Sequence, residues 1–239
     1  MNCRDCRRVK FNDGTARADG VEVPEDNWGV QLLNGSAIPN PSYAISKGIY
    51  GTTIATNNPL YVVGNYNADG NSATGADGAS DNANEPPAAL VGDAVTILST
   101  AWGNNDSDEA LTSRVASAFT EVSAAILTGL VPSDNVNNNT YSGGVENFPR
   151  FLDNWSGKTF RYRGSMVALF ESEVATQAWG GGDIYSPPTR DWSFDQKFGT
   201  GMYPPGTPNT RTYRRINFRE LNKSEWTTEI NALKSQFGI

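Results

Sequence analysis

Five runs of β-favouring residues, WGVQLL, PLYVVGNY, AVTILST, FTEVSAAILTG and FRYRGSMVALFES, are each of strand length and each bounded by Gly, Asn or Pro. The linkers between them most constrain the fold, because tight hairpins take loops of about 2–5 residues and these are longer. Parallel strands that stack on one another let such insertions leave at the corners. The sequence therefore predicts a mainly β protein, a right-handed parallel β-helix (solenoid) with long loops and a C-terminal helix. A β-sandwich with long loops is the alternative. No fixed repeat period accompanies the runs. Within them, Val122, Ala124 and Ile126 share one strand face by the period of two, as do Val167 and Leu169. Only 19% of residues are charged, so the polarity comes mostly from Asn, Ser, Thr and Gly, a balance that favours turns and short strands over long helices.

The domain expectation is a charged segment over 1–24, pairing as edge strands or loose, followed by one β-rich domain over 25–239. That domain carries a polar insertion at 67–87, NADGNSATGADGASDNANEPP, with too few apolar residues to order itself unless something holds it. A calcium ion could do so through Asp69, Asn71, Asp77 and Asp81, although their spacing matches neither an EF-hand loop nor a repeated glycine-aspartate array; the alternative is a plain flexible loop. The stretch DEALTSRVASAFTEVSAAIL reads as a turn or short helix followed by a strand. A helix is predicted over 224–237, with Ser224 as cap, Trp226, Ile230, Leu233 and Phe237 on one face, and Gly238 as its stop.

Several function classes are excluded by composition. The chain has no histidine, which removes Ser-His-Asp and Cys-His catalysis, His-ligated zinc and haem attachment through C-x-x-C-H. A net charge of -7 argues against nucleic acid as a partner. No apolar run approaches the roughly 20 residues that span a bilayer. Cys3 and Cys6 form one C-x-x-C pair, too few ligands for a zinc site within a monomer; a local disulfide or two free thiols is the reading.

Carboxylates and cations could still build a glycosidase or polysaccharide-cleaving site, since such enzymes set two carboxyl groups at a defined separation. The available groups are Glu146, Asp153, Glu171, Asp183, Asp191 and Asp195, with Arg150, Arg161, Arg163 and Arg190. Sequence spacing assigns none of them a catalytic role, and the default is a solvated or salt-bridged group. Gly180, Gly181 and Gly182 lack the following Lys-Ser/Thr of a phosphate loop and read as a linker. The segments YSPPTRDWSFD and MYPPGTP read as aromatic covers over a core edge. In SGGVENFPRFLDNWSG, Pro149 is expected to start a short helical turn with Phe148, Phe151 and Trp155 on its apolar side. Arg150 and Asp153 would then point elsewhere, and the turn would form an aromatic corner.

The succession NPLYVVGNYNADG, PPAALVGDAVTILSTAW, VSAAILTGLVPS, YSGGVENFPRFLDNWSGKTFRYRGSMVALFESEVATQAW, YSPPTRDWSFDQKF and YPPGTP resembles the C-terminal region of bacterial pilus-assembly proteins with a PilX-like N-terminal domain. It is similar also to surface proteins of pseudopilin cassettes, and the likeness covers roughly residues 28–208. This resemblance implies export by a type IV pilus-like or type II secretion-like system, a prepilin-type N-terminal helix, and an extracellular β-rich body. The sequence begins without such a helix, as the terminal portion of a longer protein or a shortened relative would. The family brings no catalytic residues to carry over. The expectation is therefore a non-enzymatic structural or adhesive domain at the cell surface, self-associating or bound to protein partners, with no catalytic, cofactor or metal residues. The alternative is a glycan-binding or polysaccharide-active module, and a calcium-stabilised adhesin is a third reading.

Overall fold

A computed structural model describes residues 6–10, 28–75, 85–103, 109–131, 148–176, 179, 184–207 and 219–237. The chain divides into two compact units, Met1–Thr207 and Pro208–Ile239. The described residues are mainly β, with parallel sheets and a C-terminal helix.

The larger unit contains strands β1 (Cys6–Lys10), β2 (Trp28–Leu32), β3 (Thr52–Ala55), β4 (Leu60–Val63), β5 (Ala88–Gly92) and β6 (Val95–Leu98). They are followed by β7 (Phe119–Ser123), β8 (Ala125–Leu130), β9 (Pro149–Phe151), β10 (Thr159–Gly164), β11 (Met166–Glu171) and β12 (Thr189–Phe194). Two short helices, α1 (Ser42–Ile45) and α2 (Gln196–Gly199), lie between them and after them. A five-stranded sheet runs β1-β2-β4-β6-β9, a four-stranded sheet β11-β8-β5-β3, and a three-stranded sheet β12-β10-β7. Every pairing is parallel except β1 with β2. From β6 onward the chain visits the five-, three- and four-stranded sheets in turn and then repeats the order, so neighbours in each sheet come from successive circuits.

Register follows from burial. Leu32, Val62, Ile97 and Phe151 pair in one row across the five-stranded sheet, and all four are buried. Ile54, Leu90, Ile126 and Met166 form the matching row in the four-stranded sheet. Tyr66, Val122, Tyr162 and Trp192 form one in the three-stranded sheet. These rows meet in a single apolar cluster. A one-residue slip in any strand would move its row to the other face, which is what fixes the alignment. At the junction of β10 and β11 a side chain on Gly164 would fall 2.0 Å from the Ala124 carbonyl oxygen, so only glycine fits there. The Tyr162 hydroxyl lies 2.7 Å and 2.8 Å from the carbonyl oxygens of Ala124 and Ser165, tying that corner together.

Val122, Ala124 and Ile126 all point into the core, but not from one strand as expected: Val122 lies on β7 of the three-stranded sheet, Ile126 on β8 of the four-stranded sheet, and Ala124 at the corner between them. Val167 and Leu169 are both exposed instead: Met166 takes the core row, which turns Val167 to the outer side with Leu127, and a register shift between Ala168 and Phe170 breaks the alternation at Leu169. Pro149 does not open a helical turn. It is the first residue of β9, in register with Val95, where its missing N–H is tolerated at a strand start. Phe148, Phe151 and Trp155 are nonetheless buried together. Phe151 meets both Trp155 and Phe160 edge to face, with centroids 5.6 Å and 5.3 Å apart. Within the charged N-terminal segment, β1 forms the edge of the five-stranded sheet.

Of the two segments expected to act as covers, YSPPTRDWSFD mostly supplies β12, a strand of the three-stranded sheet, while the described part of MYPPGTP does cover a sheet. Tyr185 enters the main core. Phe198 and Tyr203 pack on Ala89, Ala125 and Leu127, on the outer side of the four-stranded sheet, and Thr53 donates a hydroxyl hydrogen bond to the Pro205 carbonyl. Residues 195–205 thus form a strap across three strands of that sheet.

In the smaller unit, α3 (Lys223–Phe237) is the predicted helix, but Asn222 caps it rather than Ser224. The Asn222 side-chain oxygen accepts from the Glu225 N–H at 3.0 Å, and a Glu225 carboxylate oxygen accepts from the Asn222 N–H at 3.0 Å. This is a reciprocal capping box. Trp226 and Leu233 are exposed, and Ile230 is half-buried. The side chain of Phe237, and Gly238, lie outside the described residues.

Candidate functional site

The densest group of charges lies on the outer side of the three-stranded sheet. Register places Glu121 of β7, Arg161 of β10 and Asp191 of β12 in one row, so the signs alternate across the three strands. Arg163, two residues on, projects from the same side, because successive strand residues alternate faces and Phe160 and Tyr162 point into the core. The Arg161 guanidinium donates to Asp191 at 2.7 Å and lies 3.8 Å from Glu121; Arg163 donates to the other Asp191 carboxylate oxygen at 3.0 Å. Arg163 and Glu121 are 0% exposed and Arg161 4%, which on the outside of a sheet requires a cover.

The cover is the beginning of the polar insertion. Arg161 donates to the carbonyl oxygens of Ser72 (3.0 Å), Asn71 (3.4 Å) and Thr74, and Arg163 to those of Gly75 (2.8 Å) and Asp191 (2.7 Å). A guanidinium offers five N–H donors in a fixed fork, and here two forks take up the carbonyls of a segment with no ladder of its own. The mouth of the insertion is closed by Asn67, whose side-chain amide donates to Pro86 and Ser123 carbonyls, both at 2.9 Å. Its far end is held by Lys197, which donates to the Glu85 carbonyl and lies 3.7 Å from the Glu85 carboxylate. These ionic and polar anchors offset the ordering entropy that its composition could not.

Of the four proposed calcium ligands, Asp69 accepts from the Asn71 N–H at 2.6 Å and the Asn71 side chain from the Ala73 N–H at 3.0 Å, giving two overlapping Asx turns. Asp77 and Asp81 lie outside the described residues, as do Glu146, Asp183, Cys3 and Gly180 to Gly182. Among the described residues no group of three or more His, Cys, Asp or Glu side chains could hold a metal ion. No described helix is long and apolar enough to cross a membrane.

The remaining candidate residues are dispersed. Asp153, buried, accepts from the Ser99 N–H at 3.0 Å and its hydroxyl at 3.2 Å, tying the turn after β9 to the one after β6. Asp195 caps α2 by accepting from the Lys197 N–H. Arg150 donates to the Ala175 carbonyl at 2.9 Å and lies 5.3 Å from the Trp179 ring centroid. Burial pulls its pKa below the usual guanidinium value, against the opposing pull of Tyr61 and Asp93. Arg190 lies over the Trp192 ring, and Glu171 is exposed at the end of β11. At Asp191, burial works against the charge, but the hydrogen bonds and positive charges of Arg161 and Arg163 outweigh it and hold the carboxyl below its usual range.

Sequence reasoning missed Glu121 and Asp93. Asp93 sits in the two-residue turn between β5 and β6, nearly fully buried, and its carboxylate accepts the backbone N–H groups of Glu173 (2.7 Å), Val174 (3.2 Å) and Ala175 (2.6 Å). Its own carbonyl accepts from the hydroxyls of Thr128 and Ser172. The available signal was an Asp directly after Gly between two apolar runs, a turn signature that does not name the distant partner. Chemically, these carboxylates and guanidinia are engaged with backbone and with each other, an arrangement suited to holding loops in place. Comparison with protein-family models, with curated proteins and with solved structures finds no match for this chain.

Proposed function

We propose that this chain is a non-enzymatic, extracellular structural and adhesive domain whose larger unit is a right-handed parallel β-helix, displayed at the cell surface by a type IV pilus-like or type II secretion-like system. Three parallel sheets visited in cyclic order support the β-helical reading, and the strong right-handed preference of parallel crossovers supports its hand. The resemblance of the motif order to PilX-like pilus-assembly proteins supports the apparatus. The observation that carries an assembly role is β11. Among the described residues it ends a parallel sheet with no strand paired beyond it and exposes Leu169 (54%) and Phe170 (45%) there, the kind of edge that recruits another strand unless something covers it.

The test is sedimentation velocity of the purified chain across a concentration series, alone and with pilin-type subunits. Association that Leu169→Lys abolishes, with an unchanged circular dichroism spectrum, supports the reading. A strictly monomeric chain that binds no pilin-type subunit removes it. A glycan array with a reducing-sugar assay addresses the carbohydrate alternative, and a positive result there would replace the structural reading.

A further inference from the structure

Asn34–Gly35 is the one Asn-Gly dipeptide in the 239 residues. It lies in the turn that follows β2, Asn34 is exposed, and its φ of 56° puts it in the left-handed region. A second left-handed asparagine, Asn67 (φ 52°), lies against the same turn: its N–H donates to the Gly35 carbonyl at 2.8 Å, and the Ala68 N–H donates to the Ser36 carbonyl at 3.1 Å. The two differ in every respect that governs amide reactivity. Asn67 is buried, its amide nitrogen is spent on two carbonyls, and a residue with a β-carbon follows it. Asn34 faces solvent, and the residue that follows has no side chain to hinder its backbone nitrogen.

We propose that Asn34–Gly35 is a self-modification site at which the chain converts slowly to aspartate and isoaspartate, loosening the turn after β2 from the residues that follow β4. The Gly35 backbone nitrogen gives its proton to hydroxide and attacks the Asn34 side-chain carbonyl carbon. The new N–C bond closes a five-membered imide as the side-chain amide C–N bond breaks; the departing nitrogen takes a proton from water and leaves as ammonia, which restores the hydroxide. Water then opens the ring. Cleavage at the side-chain carbonyl gives aspartate; cleavage at the main-chain carbonyl gives isoaspartate, with one extra methylene in the backbone. No electrons are exchanged beyond hydrolysis of an amide to an acid and ammonia.

The extra backbone atom falls where tolerance is least. A β-carbon on Gly35 would come 2.5 Å from the Tyr66 ring, so the turn is already closely packed on the residue that joins Val122 in the core row. Lengthening the chain there displaces the Gly35 and Ser36 carbonyls from the Asn67 and Ala68 N–H groups, and both products add a negative charge.

The test is incubation of the full chain in mildly alkaline buffer, followed by peptide mapping with fragmentation that separates aspartate from isoaspartate. The Asn34→Gly variant, which keeps a left-handed residue but lacks the amide, serves as control. The expected result is acid at residue 34, with isoaspartate present, while Asn67 stays amide, together with faster hydrogen exchange at the Asn67 and Ala68 amides in aged wild type but not in aged variant. Retention of the Asn34 amide in the folded chain, over a period in which the denatured chain converts, would overturn the proposal. So would conversion without any change in exchange at Asn67 and Ala68.

Discussion

Replacing Arg163 with methionine tests whether the guanidinium pair holds the polar insertion. The side chain is fully buried and donates to Gly75, Tyr162 and Asp191 backbone carbonyls and to the Asp191 carboxylate. Methionine fills a similar volume, so little cavity term enters. Breaking a buried ion pair by removing one partner costs about 3–5 kcal/mol. Here the surviving partner is 34% exposed and keeps Arg161, so water and the second guanidinium recover part of that loss. The buried carbonyls left without donors add roughly 1–3 kcal/mol between them, and the desolvation of the arginine is relieved. A net loss of about 3 kcal/mol follows, which for a domain of this size lowers Tm by about 6–12 °C. The assay is thermal and urea unfolding with limited proteolysis of the 67–87 segment, using Arg190→Met as comparison, since Arg190 is exposed and the loss of its contact with the Trp192 ring should stay within about 1 kcal/mol. If Arg163→Met and Arg190→Met melt together and the segment remains equally resistant, the guanidinium pair does not hold the insertion.

Four further outcomes follow from the same geometry. Asp191 has a lowered folded pKa, so its contribution to stability is present above the unfolded carboxylate value of about 3.9 and is lost as pH falls through the lowered one; Asp191→Asn should flatten that acid limb in pH-dependent urea melts. Asp93→Ala leaves three backbone N–H groups without their acceptor and should cost about 3 kcal/mol, visible as a lower urea midpoint. Trp155→Ala should cost about 3–5 kcal/mol, whereas Trp155→Phe should lose far less, because the indole N–H finds no acceptor among the described residues; equal losses would contradict a packing role. Asn222→Ala should cost about 1 kcal/mol of helix stability and lower the far-ultraviolet helical signal of the smaller unit, while Ser224→Ala should leave it unchanged.

What the sequence made legible was local. Alternation in Val122, Ala124 and Ile126 marked core-facing residues, and the turn residues around each run marked β structure, but the run spans two strands of different sheets and its pattern does not show the corner at Ala124. The long linkers carried parallel pairing, because they excluded tight hairpins. Pro149 was misjudged because two local rules compete there: proline suits the first turn of a helix and also the start of a strand, and only the distant partner Val95 decides. At α3 the deciding signal was present, since Asn222 and Glu225 have capping-box spacing, but Ser224 is an equally good cap residue by type. Arg161 and Arg163 were recognisable as cations of interest, yet their acceptors are backbone carbonyls nearly ninety positions earlier. Backbone carbonyls leave no mark in a sequence, so a site assembled from them cannot be read there.

The covers over the sheets differ in chemistry, and that difference bears on the exposed edge. The three-stranded sheet puts charge outward and is covered by a polar segment through guanidinium bonds. The four-stranded sheet puts Ala89, Ala125 and Leu127 outward and is covered by an apolar strap through Phe198 and Tyr203. Each cover matches its sheet, as burial without unsatisfied groups demands. The strap reaches β3, β5 and β8, anchored at Thr53, Ala89 and Ala125 in turn. The next outward row continues through Ala55, Val91 and Leu127 to Val167, where the side chain is exposed. Phe194 meets Phe198 edge to face, with ring centroids 5.9 Å apart, and is itself more than half exposed. Among the described residues, the apolar outer side of this sheet is therefore covered over three strands, and the cover does not reach the fourth. Isolated exposed leucines need no explanation, but a contiguous row that leaves its described cover at the last strand of its sheet does. That discontinuity makes β11 the place where Leu169→Lys should separate association from folding.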